Sequence, residues 1–167
     1  MILVVFILIV ACPLNAFSGD NRMNHENLYT LIDELALKEK LKIDDIETAF
    51  GTKLRKKEYI DPFLGSNVEF SIYEPENQKV LSFFSSIRVK IYSDNIPEWG
   101  IISFELADNE CLSWKDIKYT SGEKATTMPD AGGRLTSLMY KVGKNTISFR
   151  KQGESECLFD VVINLDS

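Results

Sequence analysis

Leu41-Lys42-Ile43-Asp44-Asp45-Ile46-Glu47-Thr48-Ala49-Phe50-Gly51-Thr52-Lys53 has a counterpart in Leu112-Ser113-Trp114-Lys115-Asp116-Ile117-Lys118-Tyr119-Thr120-Ser121-Gly122-Glu123-Lys124, with Leu, Asp, Ile, Gly and Lys at the same five spacings. A repeat at fixed spacing is the first organisation to look for in a chain. Each copy reads as a short helix. In the first copy, Asp44 and Asp45 lie where the helix dipole favours acids, and Gly51 supplies the C-terminal stop. In the second, Ser113 followed three residues on by Asp116 has the form of a capping box, with Asp in place of Glu or Gln.

Upstream, Leu28, Leu31, Ile32 and Leu35 fall at the i, i+3, i+4, i+7 spacing of an amphipathic helix that is expected to run to about Leu41. Downstream the period changes to two, the mark of half-buried strands. Val68, Phe70 and Ile72 alternate with Glu69, Ser71 and Tyr73, and Ile87, Val89 and Ile91 with Arg88, Lys90 and Tyr92; residues 80–84 and Ile102, Phe104 and Leu106 add two more strands. Pro75-Glu76-Asn77 reads as a hairpin turn. Behind the second copy, Leu138/Tyr140/Val142 answers to Val68/Phe70/Ile72, and Phe159/Val161/Ile163 to Ile87/Val89/Ile91, with Ile147 and Phe149 between. The expected fold class is α+β: an antiparallel sheet with helices packed on one face, built from two helix-plus-strands repeats (residues 41–106 and 111–165). These form a single domain over 41–167, preceded at 19–40 by a polar lead and the amphipathic helix.

On these residues the chain resembles the beta-lactamase-inhibitor-protein-like tandem-repeat domains and the related small lipoproteins of outer-membrane assembly. Their unit is also a helical segment ending near a glycine and followed by antiparallel strands. The resemblance covers residues 41–165 as repeated units. The long leading helix is an addition to that pattern, and no signature motif accompanies the match. It implies a protein-binding sheet surface. In layout, with an apolar leader, acidic charge and one disulfide, the chain also resembles small periplasmic immunity proteins.

Residues 1–18 contain no Lys, Arg, Asp or Glu, and the strong apolar run stops at Pro13. A bilayer-crossing helix wants roughly 20 apolar residues, so the segment reads as a signal peptide, although no basic residue precedes the apolar run as the usual pattern has it. Two cleavages fit. Ala16-x-Ser18 suits an ordinary signal peptidase, whereas Ile9-Val10-Ala11-Cys12 fits a lipobox in which Cys12 is lipidated. Either way Cys111 and Cys157 remain, and an even count in an oxidising compartment reads as a structural disulfide. The expected location is periplasmic or secreted, or membrane-anchored through Cys12, with no transmembrane span in the mature chain.

The 167 residues carry 19 Lys and Arg against 25 Asp and Glu, a formal net charge of -6. Nucleic-acid binding needs clustered cations, and the basic stretch at residues 53–57 reads as a solvated loop, so a protein partner is expected and a nucleic acid is not. By overall charge that partner would be basic, such as a toxin or hydrolase. The single histidine, His25, sits in the polar lead and reads as an exposed linker residue. One His and two paired Cys provide neither a zinc set nor a Cys-His nucleophile, and no phosphate-binding glycine loop occurs. No cofactor and no metal are expected, and a non-enzyme is the expectation. A carboxylate pair for hydrolysis stays open, because acids are plentiful and their spacing in space is not in the sequence.

With Val68, Phe70, Ile72, Ile87, Val89 and Ile91 taken as core-facing, the opposite face would present Glu69, Tyr73, Arg88, Lys90 and Tyr92, joined by Glu105. Trp99, in the link before the strand of Ile102, reads equally as core or interface, and Trp114 as packing the second short helix onto the sheet. Aromatics among mixed charges suit recognition, and a solvated face has the same pattern. The expected function is that of an exported immunity or inhibitor protein docking this face on an enzyme. The alternative is an envelope-maintenance lipoprotein anchored through Cys12.

Overall fold

Asn24 starts the first helix: its side chain accepts the Asn27 amide at 2.8 Å, meeting one of the N–H groups that a helix start leaves without a partner. In the computed structural model, which describes residues 23–38, 41–60, 69–77, 83–92, 100–129 and 133–166, this helix, α1, spans His25–Ala36. Its stripe Leu28, Leu31, Ile32 and Leu35 is buried as the spacing required. It ends short of Leu41, at Leu37, which is 58% exposed. The apolar leader with Cys12, Val68, residues 80–82 and Trp99 lie outside the described residues.

Helix α2, Ile43–Phe50, closes on Gly51 at φ 63, a left-handed conformation that glycine adopts without a Cβ clash. Its Glu47 carboxylate ties the helix to the sheet, accepting from the Leu54 backbone N–H at 2.9 Å and from Lys53 Nζ at 2.5 Å. Those two donors hold the carboxyl below its usual pKa, the Leu54 amide foremost. A carboxyl held down in the folded state contributes stability above its unfolded pKa and loses it as the pH falls through the folded value. Glu47→Gln is therefore expected to lower the urea midpoint at neutral pH, with the gap to the parent closing in acid; a gap independent of pH would refute this role.

Among the described residues eight strands follow: β1 Leu54–Ile60, β2 Glu69–Pro75, β3 Phe84–Tyr92, β4 Gly100–Leu106, β5 Glu123–Pro129, β6 Leu135–Val142, β7 Asn145–Gln152 and β8 Asp160–Leu165. They form one antiparallel sheet in the order β1-β2-β3-β4-β8-β7-β6-β5. Each half is a four-stranded meander. The two last strands, β4 and β8, meet at the centre, where Ile102 pairs with Ile163 and Phe104 with Val161. The order reads alike from either edge when each strand is exchanged for the one four later, the arrangement expected of a duplicated unit.

Several expectations need correction. The repeat pairs β3 with β7 and β4 with β8, so Ile87/Val89/Ile91 answers to β7, and Phe159/Val161/Ile163 answers to Ile102/Phe104. Residues 53–57 are no loop: from Leu54 onward they are edge strand β1, and β5 is a second strand missed at the other edge. Phe84 begins β3, so the end of the strand expected over 80–84 belongs to β3. The second short helix is a single 3-10 turn, Trp114–Asp116, and Ser113 makes no side-chain cap. Beyond that turn, residues 117–122 form no helix, and Tyr119 is buried at 3% exposure against α1, with its ring 5.5 Å from that of Tyr29.

Helix α1 covers the second half of the sheet, and α2 the first. Phe50 of α2 packs on Phe84 and Phe104, with ring centroids 5.4 and 5.3 Å away. Tyr29 of α1 forms a second aromatic cluster with Tyr119, Tyr140 and Phe149, largely edge-to-face, the preferred geometry of ring quadrupoles. Polar bonds lock α1 there. Tyr119 Oη and Ser121 Oγ donate to the Asp33 carboxylate at 2.5 and 2.7 Å, and Asn145 Nδ2 donates to the Ala36 carbonyl at 2.7 Å. Burial, with the Asp33 charge behind it, pushes the Tyr119 hydroxyl pKa far up. His25 Nε2 lies 3.1 Å from the Ser113 carbonyl, so the histidine belongs to this seam, contrary to its reading as a linker residue.

The two glycines of the repeat serve different needs. Gly51 supplies a positive φ, whereas a Cβ on Gly122 would stand 2.6 Å from Val142 Cγ2 and 3.0 Å from the Lys141 carbonyl oxygen. Gly122→Ala is expected to destabilise by about 1–3 kcal/mol through overpacking, read as a lower urea midpoint with an unchanged slope. An unaltered midpoint would show that β6 yields freely there.

Candidate functional site: the open face of the sheet

Residues that pair directly across antiparallel strands point to the same side, so one buried residue fixes the face of each rung. Buried Val89, Ile102, Phe104, Ile147, Phe149, Val161 and Ile163 mark the side covered by α1 and α2. Among the described residues, no helix lies on the other side. That open face is assembled from Arg55 and Lys57 of β1, Ile72 and Glu74 of β2, Ser86, Arg88 and Lys90 of β3, and Ile101, Ser103 and Glu105 of β4. Across the centre it continues through Asp160, Val162 and Asn164 of β8, then through Ser148 and Arg150 of β7.

Arg88, Lys90 and Glu105 therefore occupy the face expected of them. Tyr73 does not: it pairs with Val89, and it is half-buried and packed against the core, while Ile72 pairs with Lys90 on the open side. The parity of β2 is thus the reverse of the sequence reading. Glu69 shares the strand parity of Tyr73, and Tyr92, paired with Phe70, shares that of Lys90. The reversal is possible because β2 carries apolar residues on both parities, so its own alternation does not decide which set is covered. Trp114, half-buried, packs against the core.

Charge on the open face is segregated. Over β1 to β3 it holds Arg55, Lys57, Arg88 and Lys90 against one carboxylate, Glu74. Glu74 binds Lys57 across the strand pair, and Arg88 Nε stands 3.8 Å away on its other side. The Lys57 ammonium is the main cause that holds the Glu74 carboxyl below its usual pKa. The side chains of Lys57 and Arg88 are 49% and 62% exposed. Sequence reasoning missed Arg55 and Lys57 because β1 reads as a charged loop, and Ile72 and Glu74 because it placed β2 in the opposite parity.

Toward the centre the face turns small and neutral, with Ile101, Ser103 and Val162 half-buried and Ser148 buried. One ion pair interrupts it. Asp160, 3% exposed, accepts from Arg150 Nε at 2.6 Å and from Nη2, a two-point contact. Burial raises the Asp160 pKa in spite of Arg150, with Glu105 on the facing rung adding to the rise.

On the helix side, a groove of about 450 Å³ between α1 and α2 is lined by Glu34, Lys38, Asp45, Thr48 and Ala49, and the Lys38–Asp45 pair at 2.6 Å lies among these residues. Among the described residues, no three His, Cys, Asp or Glu side chains gather as a metal ligand set, and no helix is long and apolar enough to cross a membrane. Cys111 and Cys157 form the disulfide, with Cα atoms 5.0 Å apart. By its geometry the chain is an α+β protein with two helices on one side of an antiparallel sheet. No family model, curated protein or solved structure matches it.

Proposed function

We propose that this is an exported, non-catalytic binding protein of the immunity or inhibitor type, which docks the open face of its sheet on a toxin or hydrolase outside the cytoplasm. The carrying observation is the broad sheet face opposite the helices, with small neutral residues near its centre and charged rungs over β1 to β3. A sheet tied by paired strands presents such a face with little conformational entropy left to lose on binding. The disulfide and the apolar leader support the export half of the reading.

The test is whether a single hydrolase or toxin, captured from envelope extract of the source organism, loses activity when the protein is added. A bulky Ser103→Trp at the centre of the face should abolish that inhibition while leaving the fold intact. Hydrolysis of an envelope substrate by the protein itself, removed by changing one carboxylate, would overturn the reading. The motif Ile9-Val10-Ala11-Cys12 favours a second reading, an envelope-maintenance lipoprotein. Fatty-acid labelling that disappears in Cys12→Ala would support it, and an unlabelled chain would dispose of it.

A further inference from the structure

The net charge of the chain points to a basic partner, but the charge that a docking partner would meet is local. Arg55, Lys57, Arg88 and Lys90 lie on three adjacent strands with Glu74 among them, a formal +3 on this patch. The whole chain sums to -6, so everything outside the patch sums to -9. The geometry points to a partner that presents an acidic protein surface to the β1–β3 half of the open face. This inference rests on the sheet-docking reading above and specifies its partner.

Two features favour a protein over a polyanion. A nucleic acid or an anionic membrane extends well past the patch, beyond the roughly 10 Å over which salt screens charge, and would meet the negative remainder. A folded protein can present acids of limited extent. The patch also interleaves charge with Ile72 and borders on Ile101, which suits the mixed polar and apolar contacts of a protein interface. Complementary charge of this kind sets the encounter rate and the register of docking.

A fluorescent six-residue polyglutamate peptide, short enough to stay on the patch, is a suitable probe, with binding to the full mature protein followed by anisotropy and mapped by amide chemical shifts. Binding that weakens as salt rises is expected, with shifts confined to β1, β2 and β3. Arg55→Glu with Arg88→Glu should weaken it roughly tenfold or more. The milder Arg55→Gln with Arg88→Gln, which places no new carboxylate beside Glu74, should weaken it in the same direction. Tighter binding to single-stranded DNA or to phosphatidylglycerol vesicles than to the peptide would overturn the inference in favour of those ligands. No peptide binding, with Ser103→Trp still abolishing inhibition of a captured enzyme, would sink the acidic partner and spare the docking face. Shifts centred on α1 and α2 would remove both.

Discussion

Arg150→Met is expected to lower the unfolding free energy by about 3–5 kcal/mol at neutral pH, the usual cost of stripping one partner from a buried ion pair. Methionine keeps most of the stem but removes both donors to Asp160, which sits at 3% exposure on the facing strand. The intact pair is a poor stabiliser, because burial already holds the Asp160 pKa above its ordinary value with Arg150 in place. For a raised carboxyl the sign is definite. It binds its proton more tightly folded than unfolded, so it destabilises above the folded pKa, and the penalty disappears as the pH falls below the unfolded value near 4. The deficit of Arg150→Met should therefore shrink in acid, and urea midpoints across that range measure it. Asp160→Leu added to Arg150→Met should recover most of the loss at neutral pH. A single variant with parental stability would show that the carboxylate reaches water.

The helices and central strands were legible because a single physical demand shaped them. The stripe Leu28, Leu31, Ile32 and Leu35 has one face to bury, and Ile102, Phe104 and Leu106 alternate because helices cover one side of β4. Edge strands answer to a different demand. An exposed edge invites other chains to pair with it, and lysines are a common deterrent; Arg55, Lys56 and Lys57 on β1, with Glu123 and Lys124 on β5, make both edges look like solvated loop. The candidate face was only partly legible as a result, since its cations gather only once β1 is placed beside β2. Tyr73 was misassigned because facing is set by the pairing partner, Val89, and no local pattern carries that information. The seating of α1 on the second half rests on bonds such as Ser121 to Asp33, 88 residues apart in the chain.

Replacing Cys111 and Cys157 together with alanine is expected to cost about 4 kcal/mol, from the loop entropy that a 46-residue separation restores to the unfolded chain. The loss should not fall evenly. The bond fastens the segment before the 3-10 turn to the β7–β8 connection, beside the isolated bridge between Ser113 and Cys157. The Trp114 amide donates to the Glu156 carbonyl and the Leu158 amide to the Leu112 carbonyl, each at 2.8 Å. The start of α1 leans on the same segment, with the Met23 amide bonded to Glu110 and His25 beside the Ser113 carbonyl. Sub-global opening exploits the weakest attachment, and without the bond that attachment is the N-terminal seat of α1. Amide exchange at Leu28, Leu31 and Leu35 should accelerate further than exchange at Ile102 and Phe104 in β4. Equal acceleration at both sites would mean that the bond acts only on the unfolded chain. A cost well under 2 kcal/mol would mean that the paired backbone around residue 157 holds the seam without it.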